Sequence, residues 1–274
     1  MIPTSIDGTD ITGATIDGTD VTEITVDGDV VFSARGQLLY VASNAQNTIE
    51  TFELGTPFDL NTATSIDVLT NAGQNSSLND MFISPDGSKM VVAEANDGLF
   101  QYNLSTNYEP SSRGSVQSSY TAENDGDGIG FSADGTNGLM GESKDNEIRH
   151  FTLSTPFDLS TIQLQSAFSR GTNPYDPAYV DSGNKVVFTD RSVFGLFDLS
   201  TPFDFSTRGS ITTVSASSGN FGLELSDDGV NFLESDSFNN VIESYTLTTP
   251  YDISTRGSGN STLSHNDPFG IQIL

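Results

Sequence analysis

Cysteine is absent from the 274 residues, so neither disulfides nor thiol chemistry contribute, and the redox compartment is not encoded. No apolar run approaches the roughly 18 residues that a membrane-spanning helix needs, so membrane insertion is not expected. The opening stretch, MIPTSIDGTD, has neither a basic nor an apolar segment, which argues against Sec export by a signal peptide. Histidine occurs only as His150 and His265, with no spacing suited to a metal triad. His150 reads as an exposed strand residue and His265 as part of a polar loop. There is no Gly-x-Ser-x-Gly elbow and no P-loop, and serines are too numerous for one to stand out. These absences give the expectation that the chain is not an enzyme and requires no cofactor.

Positive charge is also scarce. Lys89, Lys144 and Lys185 are the only lysines, and ten basic residues face 37 acidic ones for a net charge of −27. Phosphate would be repelled, so nucleic acid is excluded as a partner. An ordinary soluble acidic surface is one reading. Adaptation to molar salt is the sharper one, because there the Debye length falls to about 3 Å and dense carboxylates cost little self-repulsion.

What the chain does have is repetition. Residues 5–34 read SIDGTDITGA, TIDGTDVTEI and TVDGDVVFSA, three decapeptides with β-branched residues around Asp-Gly, a pair suited to tight hairpin turns. Such a strip has too few apolar residues for a core of its own, so residues 1–34 are expected to anchor or oligomerise the protein. From residue 35 onward a longer period takes over. The marker LGTPFDLNT at Leu54 recurs as LSTNYEPSS at Leu104, LSTPFDLST at Leu153, LSTPFDFST at Leu199 and LTTPYDIST at Leu247. A turn glycine ahead of an apolar strand recurs upstream, at Gly36, Gly87, Gly135, Gly183 and Gly229. Each unit reads as four short strands, and a period near 48 residues matches propeller blades. The expected fold is all-β: a five-bladed β-propeller over residues 35–274, preceded by the short hairpin module. The last strand, FGIQIL, matches FGLEL at Phe221, so it is expected to complete the blade opened by GQLLYVAS and close the ring. The marker aromatics Phe58, Tyr108, Phe157, Phe203 and Tyr251 are expected to tuck between blades.

Two acidic constellations are candidates for cations. Asp80, Asp127, Asp176 and Asp267, with Asn220, align at the entries of first strands and would ring one mouth of the axis, although capping of local amides is the simpler reading. ENDGDG, with Glu123, Asp125 and Asp127 ahead of Gly128, resembles the start of a calcium loop. It departs in having Glu at the first position and Asp134 at the twelfth. These three acids are the candidate metal ligands, for Ca2+ or another cation.

IDGTDVTEITVDGDVVF resembles short modules in structural proteins of tailed viruses, and LSTPFDLST with FISPDGSKMVV resembles propeller repeats of virus and marine-microbe proteins. With the acidity, the resemblance implies a virion surface protein, a tail fibre, spike or capsid decoration, of a tailed virus infecting halophilic archaea. It would be assembled in the host cytoplasm and exposed on the particle. It would join other virion proteins through residues 1–34, form homo-oligomers, and present the propeller to a host surface protein or glycan. The alternatives are a carbohydrate-binding or glycoside-cleaving propeller and a cellular surface or adhesion protein.

Overall fold

The structure, a computed structural model, describes residues 37–274 except 75–76, 96, 122–125 and 170–171. Of residues 1–36 it describes only the backbone of six short strands, and of residues 217–218 only the backbone. Those six strands are β1 (Ser5–Ile6), β2 (Thr9–Asp10), β3 (Thr15–Ile16), β4 (Thr19–Asp20), β5 (Glu23–Val26) and β6 (Asp29–Ser33). They pair antiparallel as β1–β2, β3–β4 and β5–β6. The registers Ile6↔Thr9, Ile16↔Thr19 and Val26↔Asp29 leave an Asp-Gly between each pair of strands. The Asp-Gly residues themselves lie outside the described residues.

Antiparallel sheets of four strands follow. The first holds β7 (Gln37–Ser43), β8 (Thr48–Leu54) and β9 (Ala63–Thr70). The second is β10 (Leu78–Ile83), β11 (Lys89–Glu94), β12 (Gly98–Leu104) and β13 (Arg113–Tyr120). The third is β14 (Gly128–Phe131), β15 (Asn137–Glu142), β16 (Glu147–Leu153) and β17 (Ile162–Ser169). The remainder is one seven-stranded sheet of β18 (Tyr175–Val180), β19 (Lys185–Thr189), β20 (Arg191–Asp198), β21 (Thr212–Leu225), β22 (Asn231–Asp236), β23 (Val241–Thr246) and β24 (Ser261–Ser264). In it β21 serves twice: Thr212–Ser215 pair with β20, and most of Asn220–Leu225 with β22. The last strand, β25 (Pro268–Ile273), pairs with β7, giving the order β25-β7-β8-β9. Leu38 and Leu274 exchange both main-chain hydrogen bonds, at 2.8 and 2.9 Å. The C-terminal strand therefore completes the first sheet, as the sequence pattern requires. Among the described residues the only helical pieces are single 3-10 turns.

The apolar residues lie between four-stranded units rather than inside one, the seven-stranded sheet counting as two halves that share β21. Tyr40 and Ile49 pack with Met81 and Tyr102; Val91 and Leu99 with Ile129 and Phe151; Leu139 and Ile148 with Phe188 and Phe197. Val187 and Phe194 pack with Leu223 and Phe232, and Leu233 and Ile242 with Leu39 and Ile271. The last set returns to the first sheet, so the cores follow one another around an axis. Both faces of a sheet are thus covered, which explains inner strands buried along almost their whole length, such as KMVVAE.

The marker turns are built as their residues dictate. After Thr-Pro, Asp59, Asp158, Asp204 and Asp252 each accept the backbone N–H two residues on and cap a 3-10 turn. The aromatic just before each aspartate sits at positive φ, between 52° and 62° in Phe58, Phe157, Phe203 and Tyr251, and at 67° in Tyr108. Sequence pattern gives no sign of that, since bulky residues are rare there. The conformation lays the ring over a turn glycine: Tyr108 over Gly87, Phe157 over Gly135, Phe203 over Gly183, Tyr251 over Gly229. Phe157 also reaches the preceding sheet, with its centroid 5.8 Å from that of Phe82.

Candidate functional site

Distances from the turn glycines define the rows at the axis. Asp80, Gly128, Asp176 and Gly222 all lie seven residues ahead of their glycine. The carboxylates of this row bridge units. Asp80 Oδ1 accepts Met81 N–H at 2.7 Å, and its Oδ2 accepts Ile129 N–H of the next sheet at 2.8 Å. Asp176 Oδ2 likewise accepts Leu223 N–H at 2.7 Å, from the second half of the seven-stranded sheet to which Asp176 belongs. Glycine opposite makes the fit: a Cβ on Gly270 would fall on the Asp80 carboxylate. Burial pushes the Asp80 carboxyl up to about 7. Burial first, and the Asp80 charge second, hold Asp176 well above the usual carboxylate range. Glu224 is likewise raised by burial, then by Asp227 and Asp80.

The expected ring of Asp80, Asp127, Asp176, Asp267 and Asn220 therefore does not form. Asp127 lies eight residues ahead of Gly135, one step out of register with Asp80 and Asp176, and Asn220 lies nine ahead of Gly229. Asp127 accepts Asn79 Nδ2 and Ser143 N–H, each at 2.7 Å, and Asp267 Oδ2 accepts Ala45 N–H at 2.7 Å. Apart from Asn220, each member is tied to a backbone amide, the capping role that competed with cation binding.

Asn79, Asp127, Tyr175 and Phe221 occupy the row eight residues ahead of the turn glycine, at the mouth of the axis. One side of this mouth is polar, the Asn79–Asp127 hydrogen bond. The other is aromatic. Tyr175 and Phe221 meet edge to face at 5.0 Å, and Phe221 stacks on Phe269 of β25 at 4.0 Å. Two exposed side chains sit on this floor. Phe238, in the β22–β23 hairpin, is 66% exposed and meets Phe221 at 6.4 Å. Its loop is fixed by Asp236, which accepts Asn239 N–H at 3.0 Å and Asn239 Nδ2 at 2.7 Å. Arg191, in the β19–β20 hairpin, is exposed and holds its guanidinium carbon 5.2 Å from the ring centroids of both Tyr175 and Phe221. It adopts φ of 64°, in the left-handed region. Exposed apolar surface beside a fixed cation, over a rigid floor, can hold a flat ring and a negative group.

Other candidates fare differently. Glu123 and Asp125 of the proposed calcium loop lie outside the described residues, and among the described residues no cluster of three or more acids or histidines is arranged to hold a metal. His150, expected to be exposed, is buried and stacks on Phe205 at 5.4 Å, because the next sheet covers it. His265, expected in a polar loop, is also buried, 3.2 Å from Glu50. A groove lined by Leu38, Glu53, Ile66, Asp67, Tyr108 and Glu109 lies at the rim, but Asp67 there is already bound to Ser111 N–H at 3.0 Å.

No protein-family model matches the sequence, and no curated protein matches it. Solved structures do resemble it. The nidogen/laminin complex is similar over 87% of this chain and 98% of the matched chain, with 12% identity and a TM-score of 0.54. A Bacteroides fragilis protein proposed to be a 6-phosphogluconolactonase covers 93% of this chain and 73% of its own, at 13% identity and TM-score 0.48. The periplasmic gluconolactonase of Pseudomonas aeruginosa covers 87% and 70%, at 11% identity and TM-score 0.46. At these identities the likeness is one of fold, an all-β, propeller-like arrangement. None of these structures gives the virion reading support or points to a viral or archaeal source. Two of these neighbours carry a lactonase name, one as a proposal, so the expectation that the chain is not an enzyme does not stand and is withdrawn.

Proposed function

We propose that the chain is a five-bladed propeller whose axial mouth binds carbohydrate. The blade count is supported by the core sets that run cyclically between sheets and by a β21 that serves two of them. The observation that carries the function is Phe238, 66% exposed, held by its loop above the Tyr175–Phe221–Phe269 floor. Phe238 is not scattered alone but grouped with the rings of Phe221 and Phe269, and exposed apolar surface grouped in this way marks a place that a ligand or partner covers. The C–H face of a pyranose covers an aromatic ring of this kind. Residues 1–34, as hairpins paired only within themselves among the described strands, join this reading as the attachment module for a partner or a second copy.

Calorimetric titration with a panel of oligosaccharides tests the reading. Phe238→Ala should weaken binding about tenfold, or ~1.4 kcal/mol. Unchanged affinity in that variant, or no binding across the panel, would overturn it.

A further inference from the structure

Arg191 is the unusual residue of the mouth. In the equivalent hairpins, left-handed backbone falls on Asn47, Gly98, Asn146 and Asn240, residue types that tolerate it. Only here does a long cationic side chain take that conformation, at some cost in strain. Its hairpin is closed by Asp190 N–H donating to Val193 O at 3.0 Å. The side chain makes no hydrogen bond or ion pair with any described residue, and its charge rests on the faces of Tyr175 and Phe221. In a chain of net charge −27 an exposed arginine beside many carboxylates has counter-ions at hand. This one is instead held by two rings, with the N–H fork free at its edge.

Resting on the carbohydrate reading, we infer that Arg191 selects acidic sugars, binding the carboxylate of a uronic-acid-type residue whose ring stacks against Phe238. The guanidinium presents paired donors that match a carboxylate bidentately. Its flanks favour a single charge over a double one. Asp190 precedes it, and Asp236 lies across Asn220, the residue paired with both Arg191 and Asp236. Those carboxylates oppose a dianionic phosphate more than a monoanionic carboxylate. The planar fork on the edge of the aromatic floor places the negative group beside the sugar ring and not above it.

The test uses the full chain and three probes of equal length: a galacturonate tetramer, its methyl ester, which keeps the sugars and removes the charge, and a sulfated neutral tetramer. Arg191→Asn is the informative variant, since asparagine takes the same backbone conformation in three sister hairpins and should leave the fold intact. The acid tetramer should bind at least tenfold more tightly than its ester. Arg191→Asn should erase that difference, and Arg191→Lys should retain only part of it, with the advantage shrinking as salt rises. Phe238→Ala should weaken acid and ester alike. Equal binding of acid and ester in the parent protein overturns the selectivity and leaves the carbohydrate reading standing. Sulfated tetramer binding as tightly as galacturonate overturns the assignment to carboxylates. Failure of all three probes overturns both readings.

Discussion

Asp80 Oδ2 accepts the backbone N–H of Ile129 at 2.8 Å, so a side chain from one sheet supplies a hydrogen bond to the innermost strand of the next. Asp176 repeats the contact within the seven-stranded sheet, joining its first half to Leu223 of its second, also through Oδ2, at 2.7 Å. Among the described strands, β21 is the one place where a strand ladder runs from one unit into the next. Around the axis, carboxylates and close-packed glycines do that joining.

The fit of Asp80 against Gly270 yields the first prediction. Gly270→Ala should destabilise the protein by about 1–3 kcal/mol, the usual cost of overpacking a tight core. Combining it with Asp80→Gly, the residue found at this position in Gly128 and Gly222, should cost less than the two single changes added together. Chemical denaturation of the four proteins measures the coupling. Strict additivity would show that the two residues do not share the space.

Closure of the ring gives the second. Removing residues 267–274 deletes β25, which pairs with β7 at Pro268↔Ser43, Ile271↔Val41, Gln272↔Tyr40 and Ile273↔Leu39. It also exposes the β7 edge and uncovers Leu39 and Val41. The truncated protein should aggregate or lose its cooperative melt in calorimetry. A melt within a degree or two of the parent's would show that closure contributes little.

The third concerns pH. Asp80, Asp176 and Glu224 all have raised pKa values caused first by burial. A carboxyl whose folded pKa exceeds its unfolded value near 4 binds its proton more tightly when folded. Its contribution is therefore complete below the unfolded pKa and is lost as pH rises, for Asp80 through about 7. The capping aspartates Asp86, Asp134, Asp158 and Asp228 are held low by hydrogen bonds from Ser and Thr, against burial that comes first at Asp86, and weaken the fold only when pH falls below about 4. Stability should thus peak near pH 5–6, with the melting temperature falling several degrees by pH 8. Measuring in 1 M salt removes most of the surface repulsion, which pushes the same way. Asp80→Asn should flatten the slope, and a melting temperature that rises between pH 6 and 8 would contradict the assignment.

A fourth follows from the marker turn. Phe157→Ala removes a ring that covers Gly135 and meets Phe82 and Phe131 at 5.8 Å each. The loss should be about 2–3 kcal/mol, below the full Phe→Ala range because the ring is half-buried and leaves a strained φ of 52°. Denaturation midpoints of Phe157→Ala and Phe157→Gly separate the two effects, since glycine relieves the strain. Glycine should be the less damaging.

Much of the fold was legible because it is repeated. Turn glycines, marker leucines and the FGIQIL echo locate strands whose positions the pairing registers match, and the aspartate caps of the marker turns follow from spacing alone. The axis was harder. Aligning acids by type put Asp127 level with Asp80, whereas counting back from Gly87 and Gly135 separates them by one residue and brings out the Asp80, Gly128, Asp176, Gly222 alternation. The burial of His150 and His265 was not legible, since each is covered by residues distant in sequence. Nor was the mouth: Arg191 and Phe238 lie in different hairpins, and only packing brings both onto Phe221. The arginines of SSRGS at 111–115 and STRGS at 254–258 hid another role: Arg113 donates to Ala72 O at 2.5 Å and Arg256 to Ser215 O at 2.9 Å, each reaching back to the preceding unit.

Amide NMR shifts during titration with the galacturonate tetramer show whether the axial mouth is the binding surface. Saturable shifts should group at Tyr175, Arg191, Phe221, Phe238 and Phe269. Shifts grouped instead at the rim, around Leu38, Ile66 and Tyr108, or none at millimolar sugar, would contradict it.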